Sequence, residues 1–77
     1  MELAKDVTEG ACKLSMIGNN RLWLENYESI QIYNDREILL QTRKHRIRIQ
    51  GDHLRIESYG AVEMKVSGLI QSIVFEE

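Results

Sequence analysis

The side chains that most often carry chemistry are few in this sequence. His45 and His53 are its only histidines, and Cys12 is its only cysteine. In the strand register that the sequence pattern predicts, the two histidines lie several residue steps apart. At ~3.3 Å per residue this is roughly 10 Å or more, too far for both to bind one metal ion. We therefore predict solvent-facing histidines, an unreactive Cys12 and no metal site.

Sequence patterns typical of catalysis or nucleotide binding are absent. There is no GxGxxG or GxxxxGK[ST] run, and the glycines are scattered among turns. No serine or cysteine occupies a glycine-flanked elbow that would activate it as a nucleophile. We expect neither a catalytic site nor a cofactor.

Basic side chains are concentrated in one stretch, although the whole chain has a formal charge of -2. Residues 43–57 hold five of the ten basic side chains: Arg43, Lys44, Arg46, Arg48 and Arg55. In a hairpin that turns at Gly51-Asp52, Arg48 would face Arg55 and Arg46 would face Glu57. An unneutralised Arg48/Arg55 pair could receive a carboxylate or phosphate from a partner. The alternatives are a solvated face that discourages aggregation and, with less support because no aromatic lies among the arginines, a nucleic-acid site.

Alternation of apolar and polar residues predicts the elements that position these side chains. Short alternating runs recur along the chain and are separated by Gly, Asn and Asp, as in an antiparallel meander. We predict an all-β fold with about eight short antiparallel strands in a small sandwich or roll. One domain is expected over residues 1–77, with residues 1–10 as a flexible arm or a short helical turn.

The alternation also predicts turns and cross-strand pairs. Two-residue loops are expected at residues 43–44 and 51–52, and a three-residue loop at residues 34–36. The pairs that these loops imply are Ile49–Leu54, Ile47–Ile56, Ile32–Ile38, Ile30–Leu40 and Leu40–Ile47. A change of phase around Gln71-Ser72 predicts a β-bulge.

Several apolar residues fall on the opposite parity from the predicted core. They are Ile17, Trp23, Leu39 and Val74. In a domain this small they indicate a second buried surface, which self-association would supply. The candidate interaction surface therefore comprises these four residues with Arg46, Arg48 and Arg55.

No apolar run approaches the roughly 18 residues that a membrane-spanning helix needs, and the N-terminus has no signal-peptide profile. We expect no direct insertion into a membrane. Any membrane contact would then be made through another protein.

Five stretches of the chain, taken in order, carry a resemblance to a known family. They are ELAKDV (2–7), KLSMIGNNRLWLENYESIQIY (13–33), EILLQT (37–42), IRIQGDHLRIES (47–58) and VSGLIQSIVF (66–75). In this order they resemble the YabP/YqfC family of sporulation proteins from endospore-forming bacteria, and its YqfC branch most closely. The chain departs from the family pattern at Ala4, at Ser29 and at Arg43-Lys44-His45, where the family tends to have proline, glycine and a glycine-containing turn.

The resemblance implies a small, cytoplasmic, all-β protein of the mother cell, without known enzymatic activity or catalytic residues. It also implies a partner, the larger membrane-bound stage IV sporulation protein YqfD, at the membrane around the forespore. We therefore expect a non-catalytic, self-associating scaffold or partner module. The alternative is a small nucleic-acid-binding module that uses the basic stretch at residues 43–57.

Overall fold

The computed structural model describes residues 12–77, and the arm or helical turn expected at residues 1–10 lies outside them. Within the described residues the chain forms six antiparallel strands and no helix, which confirms the all-β prediction. The strands are β1 (Lys13–Ile17), β2 (Arg21–Glu25), β3 (Tyr27–Tyr33), β4 (Glu37–Thr42), β5 (Arg46–Tyr59) and β6 (Glu63–Glu76). They form one open sheet in the order β1-β2-β6-β5-β4-β3.

The sheet folds over on itself because β5 and β6, each of 14 residues, run through both of its halves. β2 pairs with residues 63–67 of β6, whereas β4 pairs with residues 46–50 of β5. β2 and β3 stand far apart in the sheet, at the second and last places, yet only Asn26 separates them in the chain. We call β1, β2 and the adjoining halves of β6 and β5 the first layer, and β3, β4 and the other halves the second layer. Since the two long strands contribute to both layers, the predicted count of about eight is close.

The space between the layers holds one apolar core. Alternate residues of each strand point into it, as the period of a half-buried strand requires. Its best-buried members are Leu22, Leu24, Ile38, Leu40, Ile47, Ile49, Met64 and Val66. Burying each such side chain stabilises the fold by about 1.5–3 kcal/mol before the entropy of ordering is subtracted.

Two glycines allow β5 and β6 to pass closely where they bend. A Cβ on Gly51 would collide with the carbonyl oxygen of Leu69, and a Cβ on Gly68 would collide with that of His53. Gly68 also has a φ of 120°, a conformation that L side chains rarely adopt. The bend therefore depends on glycine in both strands.

The predicted hairpin at Gly51-Asp52 is wrong, because β5 continues through these residues. Gly51 lies opposite Ile70 on β6, so the pairs Ile49–Leu54 and Ile47–Ile56 do not form. A Gly-Asp pair is typical of a tight turn. Here the glycine instead allows the backbones of β5 and β6 to approach closely. The predicted bulge is confirmed, because the register skips Gln71 between the partners of Gln50 and Gly51.

The other two predicted loops are present. Leu40 pairs with Ile47, and Ile30 pairs with Leu40, as expected. Ile32 pairs with Leu39 rather than with Ile38, because a register shift interrupts β3 after Ile30. The predicted pair Ile32–Ile38 is therefore wrong.

The loop at residues 43–44 lacks glycine and asparagine and is held by a side chain instead. The Thr42 hydroxyl donates to the carbonyl of His45 over 2.8 Å and accepts from its amide over 3.1 Å. Positive φ angles are confined to other residues of the described chain, so this loop needs no glycine. Side-chain bonding of this kind is a common substitute for turn-forming residues.

The two layers repeat one arrangement. The β1–β2 turn and the β3–β4 turn bind the bends of β6 and β5 through equivalent carbonyls. Asn19 and Asn20 accept from Ile70 and Gly68, just as Asp35 and Arg36 accept from Leu54 and Gly51. LSMIGNNRLWL (14–24) and IQIYNDREILL (30–40) share the matching apolar pattern. The equivalence places Trp23 with Leu39, Arg21 with Glu37 and Lys65 with Arg48.

Candidate interaction surfaces

The seven residues of the predicted surface fall on two separate outer faces. Ile17 and Trp23 point outward from the first layer, where Ser67, the partner of Arg55, also lies. The outer face of the second layer carries Leu39, Arg46, Arg48 and Val74. Since the core separates the layers, the structure does not bring the seven residues together.

Arg48 does not face Arg55, so that prediction is wrong. Because β5 runs straight through its glycine, Arg48 lies between Leu39 and Val74, and Arg55 lies opposite Ser67 on β6. Arg46, predicted to face Glu57, instead lies opposite Glu76. The like-charged pair that invited an acidic ligand is therefore absent.

Arg48 forms ion pairs on both sides. Its Nε donates to Oε2 of Glu76 over 2.8 Å, and its Nη1 donates to Glu37. The hydrogen bond to Glu76, followed by that to Glu37, raises the pKa of Arg48, and the hydrogen bond from Arg48 lowers the pKa of Glu76. Both carboxylates come from the same chain, so the cluster leaves Arg48 little to offer a partner.

Apolar residues on the second layer differ in access. Leu39 is only 5 % exposed although it points away from the core, whereas Val74 is 44 % exposed. The stem of Arg48 lies between them in the ladder. Of these two candidates, Val74 is the one that another molecule can reach.

A groove crosses the outer face of the first layer. It encloses about 470 Å³ and is lined by β1, β2, β6 and Glu57 of β5. Trp23 and Ile17 supply its exposed apolar surface, at 43 % and 68 % exposure. The ammonium of Lys65 lies 5.0 Å from the centre of the Trp23 ring, a cation–π contact.

Sequence reasoning missed Lys65 and Arg21 as members of this groove. Both alternate with buried residues of their strands, so their outward direction was readable from parity. Their juxtaposition was not, because it depends on the pairing of β2 with β6 across about 40 residues of sequence.

Residues 71–76 of β6, here called the β6 edge, have a free side. β2 pairs with β6 only as far as Ser67, and the adjoining turn reaches no farther than Ile70. On the other side the segment pairs with β5. Along this segment, alternate residues therefore direct their backbone N–H and C=O groups toward β5. The other residues direct theirs to a side where no strand from residues 12–77 lies.

The histidines and the cysteine occupy unrelated places. His53 is exposed, as predicted, on a residue with a φ of 54°. His45 is half-buried with its ring edge-on to Phe75 at 6.2 Å, so the prediction that it faces solvent is wrong. Burial raises the pKa of the Cys12 thiol. Between residues 12 and 77, no three His, Cys, Asp or Glu side chains are close enough to hold a metal ion.

Comparison with known families covers almost the whole chain. A sequence model described as the YabP family matches residues 8–77, a range that contains all six strands. The chain belongs to the YabP family. A search of curated proteins gave no significant match. In the described part of this YabP-family chain, no helix is long and apolar enough to cross a bilayer.

Proposed function

We propose that this YabP-family protein is a non-catalytic, self-associating scaffold that acts during endospore formation, as a YqfC-like member of the family. Family membership supports the sporulation role. The proposed setting is the cytoplasm of the mother cell, with a membrane-bound YqfD-like protein as the partner. Support for the setting and the partner comes from the resemblance of the five sequence stretches to the YqfC branch.

The observation that carries the self-association proposal is the β6 edge. Natural edge strands avoid pairing with other molecules through charge, proline, bulges or short length. Among the free edges of the described sheet, β1 is only five residues long and begins with a lysine, β3 has register shifts, and the second half of β5 carries Arg55 and Glu57. The β6 edge has the sequence QSIVFE, with its one acidic side chain bound to Arg48. It is therefore the least protected of these edges.

A second copy fits this edge through antiparallel pairing of two β6 edges. Such pairing about a two-fold axis would join the second layers of two copies into one continuous sheet. Val74 of each copy would lie at the junction. Phe75, which points to the core side but remains exposed, would gain an apolar neighbour. Backbone hydrogen bonds between the two β6 edges would supply affinity, and the side chains of Val74 and Phe75 would fix the register.

The polar groups of the groove favour binding over catalysis. The Ser67 hydroxyl donates to Glu57 over 2.6 Å, with both side chains on the outer face. A serine activated as a nucleophile is normally bound to a base that a third group orients. In this pair the hydroxyl binds a carboxylate directly, and that carboxylate also lies near Arg55, at 3.9 Å.

Light scattering of the wild type and of Val74→Lys tests the proposal. We expect the wild type to have a multiple of the 9.0 kDa chain mass. Val74→Lys should give a folded monomer, because a lysine at an edge opposes strand addition. Val62→Lys is the matched control, since Val62 is similarly exposed but lies before β6 and should leave the mass unchanged.

Two results would contradict the proposal. One is a wild-type chain that stays monomeric at high concentration. The other is a Val74→Lys variant that keeps the wild-type mass. If Trp23→Asp dissociates the assembly and Val74→Lys does not, the first-layer face is the self-association surface. Far-UV circular dichroism of each variant separates dissociation from unfolding.

A further inference from the structure

We propose that the groove of the first layer binds an extended, acidic segment of a partner protein, added as a strand to the free edge of β1. This inference rests on the proposed module function and names the chemistry of its partner. It uses a surface distinct from the β6 edge. The apolar residues, the cations and the free edge of β1 each support it.

The apolar part of the groove is exposed and already positioned. Ser15 of β1 lies opposite Trp23, and Ile17 lies opposite Arg21, so that Ile17 and Trp23 are diagonal neighbours on one face. Lys65 holds one side of the indole ring at 5.0 Å. A ring fixed in this way loses little side-chain entropy when a ligand packs on it.

The groove carries two cations, Arg21 and Lys65. Within residues 12–77, no carboxylate forms an ion pair with Arg21 or Lys65. The one carboxylate of the lining, Glu57, already accepts from Ser67 at 2.6 Å and lies near Arg55. Charge complementarity therefore favours a ligand that brings its own carboxylates.

The free edge of β1 favours an extended ligand. β1 pairs with β2 on one side, and no strand from the described part of the chain lies on the other. A strand added there would run about 4.8 Å from β1, with alternate side chains beside Ser15 and Ile17 over the groove. Lys13 projects on the same face but lies opposite Glu25 of β2, so the carboxylates of the added strand are expected beside Arg21 and Lys65.

A protein segment fits better than a lipid surface or a nucleic acid. Recognition of anionic lipids typically uses clusters of about four to eight basic residues, and nucleic-acid binding relies on many phosphate contacts. The groove presents two cations, Arg21 and Lys65, around an indole and an isoleucine. Two cations beside an apolar centre match alternating acidic and apolar side chains.

Tryptophan fluorescence gives a direct test, because Trp23 is the only tryptophan of the chain. The full chain is titrated with a blocked peptide of alternating Glu and Val, and with a matched peptide of alternating Lys and Val. We expect a saturable change in emission with the Glu peptide and none with the Lys peptide. Isothermal calorimetry on the same samples measures the affinity independently of the indole.

Charge variants locate the binding surface. Lys65→Glu and Arg21→Glu should each weaken binding of the Glu peptide by about tenfold or more. Arg36→Glu changes a basic residue of the β3–β4 turn, away from the groove, and should leave affinity within about twofold. Equal binding of both peptides, or equal losses in all three variants, would overturn the proposal.

Two further titrations examine the other ligand classes. Vesicles containing phosphatidylserine and single-stranded DNA should leave the Trp23 emission unchanged. If either changes it while the Glu peptide does not, the groove belongs to that ligand and the proposal fails. If Val74→Lys abolishes self-association and the Glu peptide does not bind, the module function stands and this inference fails. If the chain is always monomeric and still binds the Glu peptide, this inference stands and the self-association proposal fails.

Discussion

Arg48 and Glu76 lie on neighbouring strands, joined over 2.8 Å from the guanidinium Nε to a carboxylate oxygen. They are 28 residues apart in sequence, and their contact requires β5 to continue through the bend. The same continuity places Glu37 on the other side of Arg48. In the predicted hairpin, Arg48 would have faced Arg55. In the structure, it lies between the carboxylates of Glu76 and Glu37.

Stability should depend on pH through Glu76. Because Arg48 lowers the pKa of Glu76 in the folded chain, the contribution of this carboxylate is present above its unfolded pKa of about 4.3 and is lost as pH falls through the lower folded value. We expect Glu76→Gln to lower the urea midpoint near neutral pH, and the difference from the wild type to shrink toward about pH 3.

Glu28→Gln is the control for this measurement. Glu28 is exposed on β3 and forms no ion pair with residues 12–77. Its variant should follow the wild-type urea midpoint at every pH. A difference between Glu76→Gln and the wild type that stays constant on acidification would contradict the predicted role of the Arg48–Glu76 pair.

Glycine at the bend should be indispensable. Gly68→Ala is expected to lower the free energy of unfolding by at least about 3 kcal/mol, because it combines an unfavourable φ with a collision against the carbonyl of His53. Gly60→Ala should change it by less than about 0.5 kcal/mol, since its nearest neighbour is 4.0 Å from the added carbon. Chemical denaturation compares the two, and similar losses would show that the bend tolerates a side chain.

The hydroxyl of Tyr27 should stabilise the connection between the layers. Tyr27 is buried at the start of β3 and donates to the carbonyl of Gly60 over 2.8 Å, in the β5–β6 turn. Tyr27→Phe should lower the free energy of unfolding by about 1–2 kcal/mol, because that carbonyl loses its partner. Tyr59→Phe, at an exposed ring, should have no measurable effect. Equal urea midpoints for both variants would refute the role of this bond.

The alternation of apolar and polar residues was sufficient to predict the fold class. It was not sufficient to predict how the two layers are connected. Parity identified the core residues Leu22, Leu24, Ile47 and Ile49, and the change of phase identified the bulge at Gln71. The error at Gly51 arose because close backbone approach and a tight turn both require glycine. Only pairing with Ile70, distant in sequence, distinguishes these two uses.

The candidate surfaces were less accessible to sequence reasoning. Parity correctly directs Trp23 and Leu39 away from the core, but it cannot show that Leu39 is buried and Trp23 is exposed. Exposure also depends on the neighbours that strand pairing supplies: Leu39 lies between Ile32 and Arg48, whereas Trp23 lies between Ser15 and Lys65. The similarity of residues 14–24 to residues 30–40 was a usable signal, because it would have indicated two equivalent hairpins.

Because of the repeat, positions in one layer have equivalents in the other. Trp23, Arg21 and Lys65 in the first layer correspond to Leu39, Glu37 and Arg48 in the second. The two outer faces differ in the sign of one residue, since Glu37 pairs with Arg48 at the position where the first layer has Arg21. Arg21→Glu would therefore do more than remove a cation. It would place a carboxylate beside Lys65, as Glu37 lies beside Arg48, so that the first layer would carry its own ion pair.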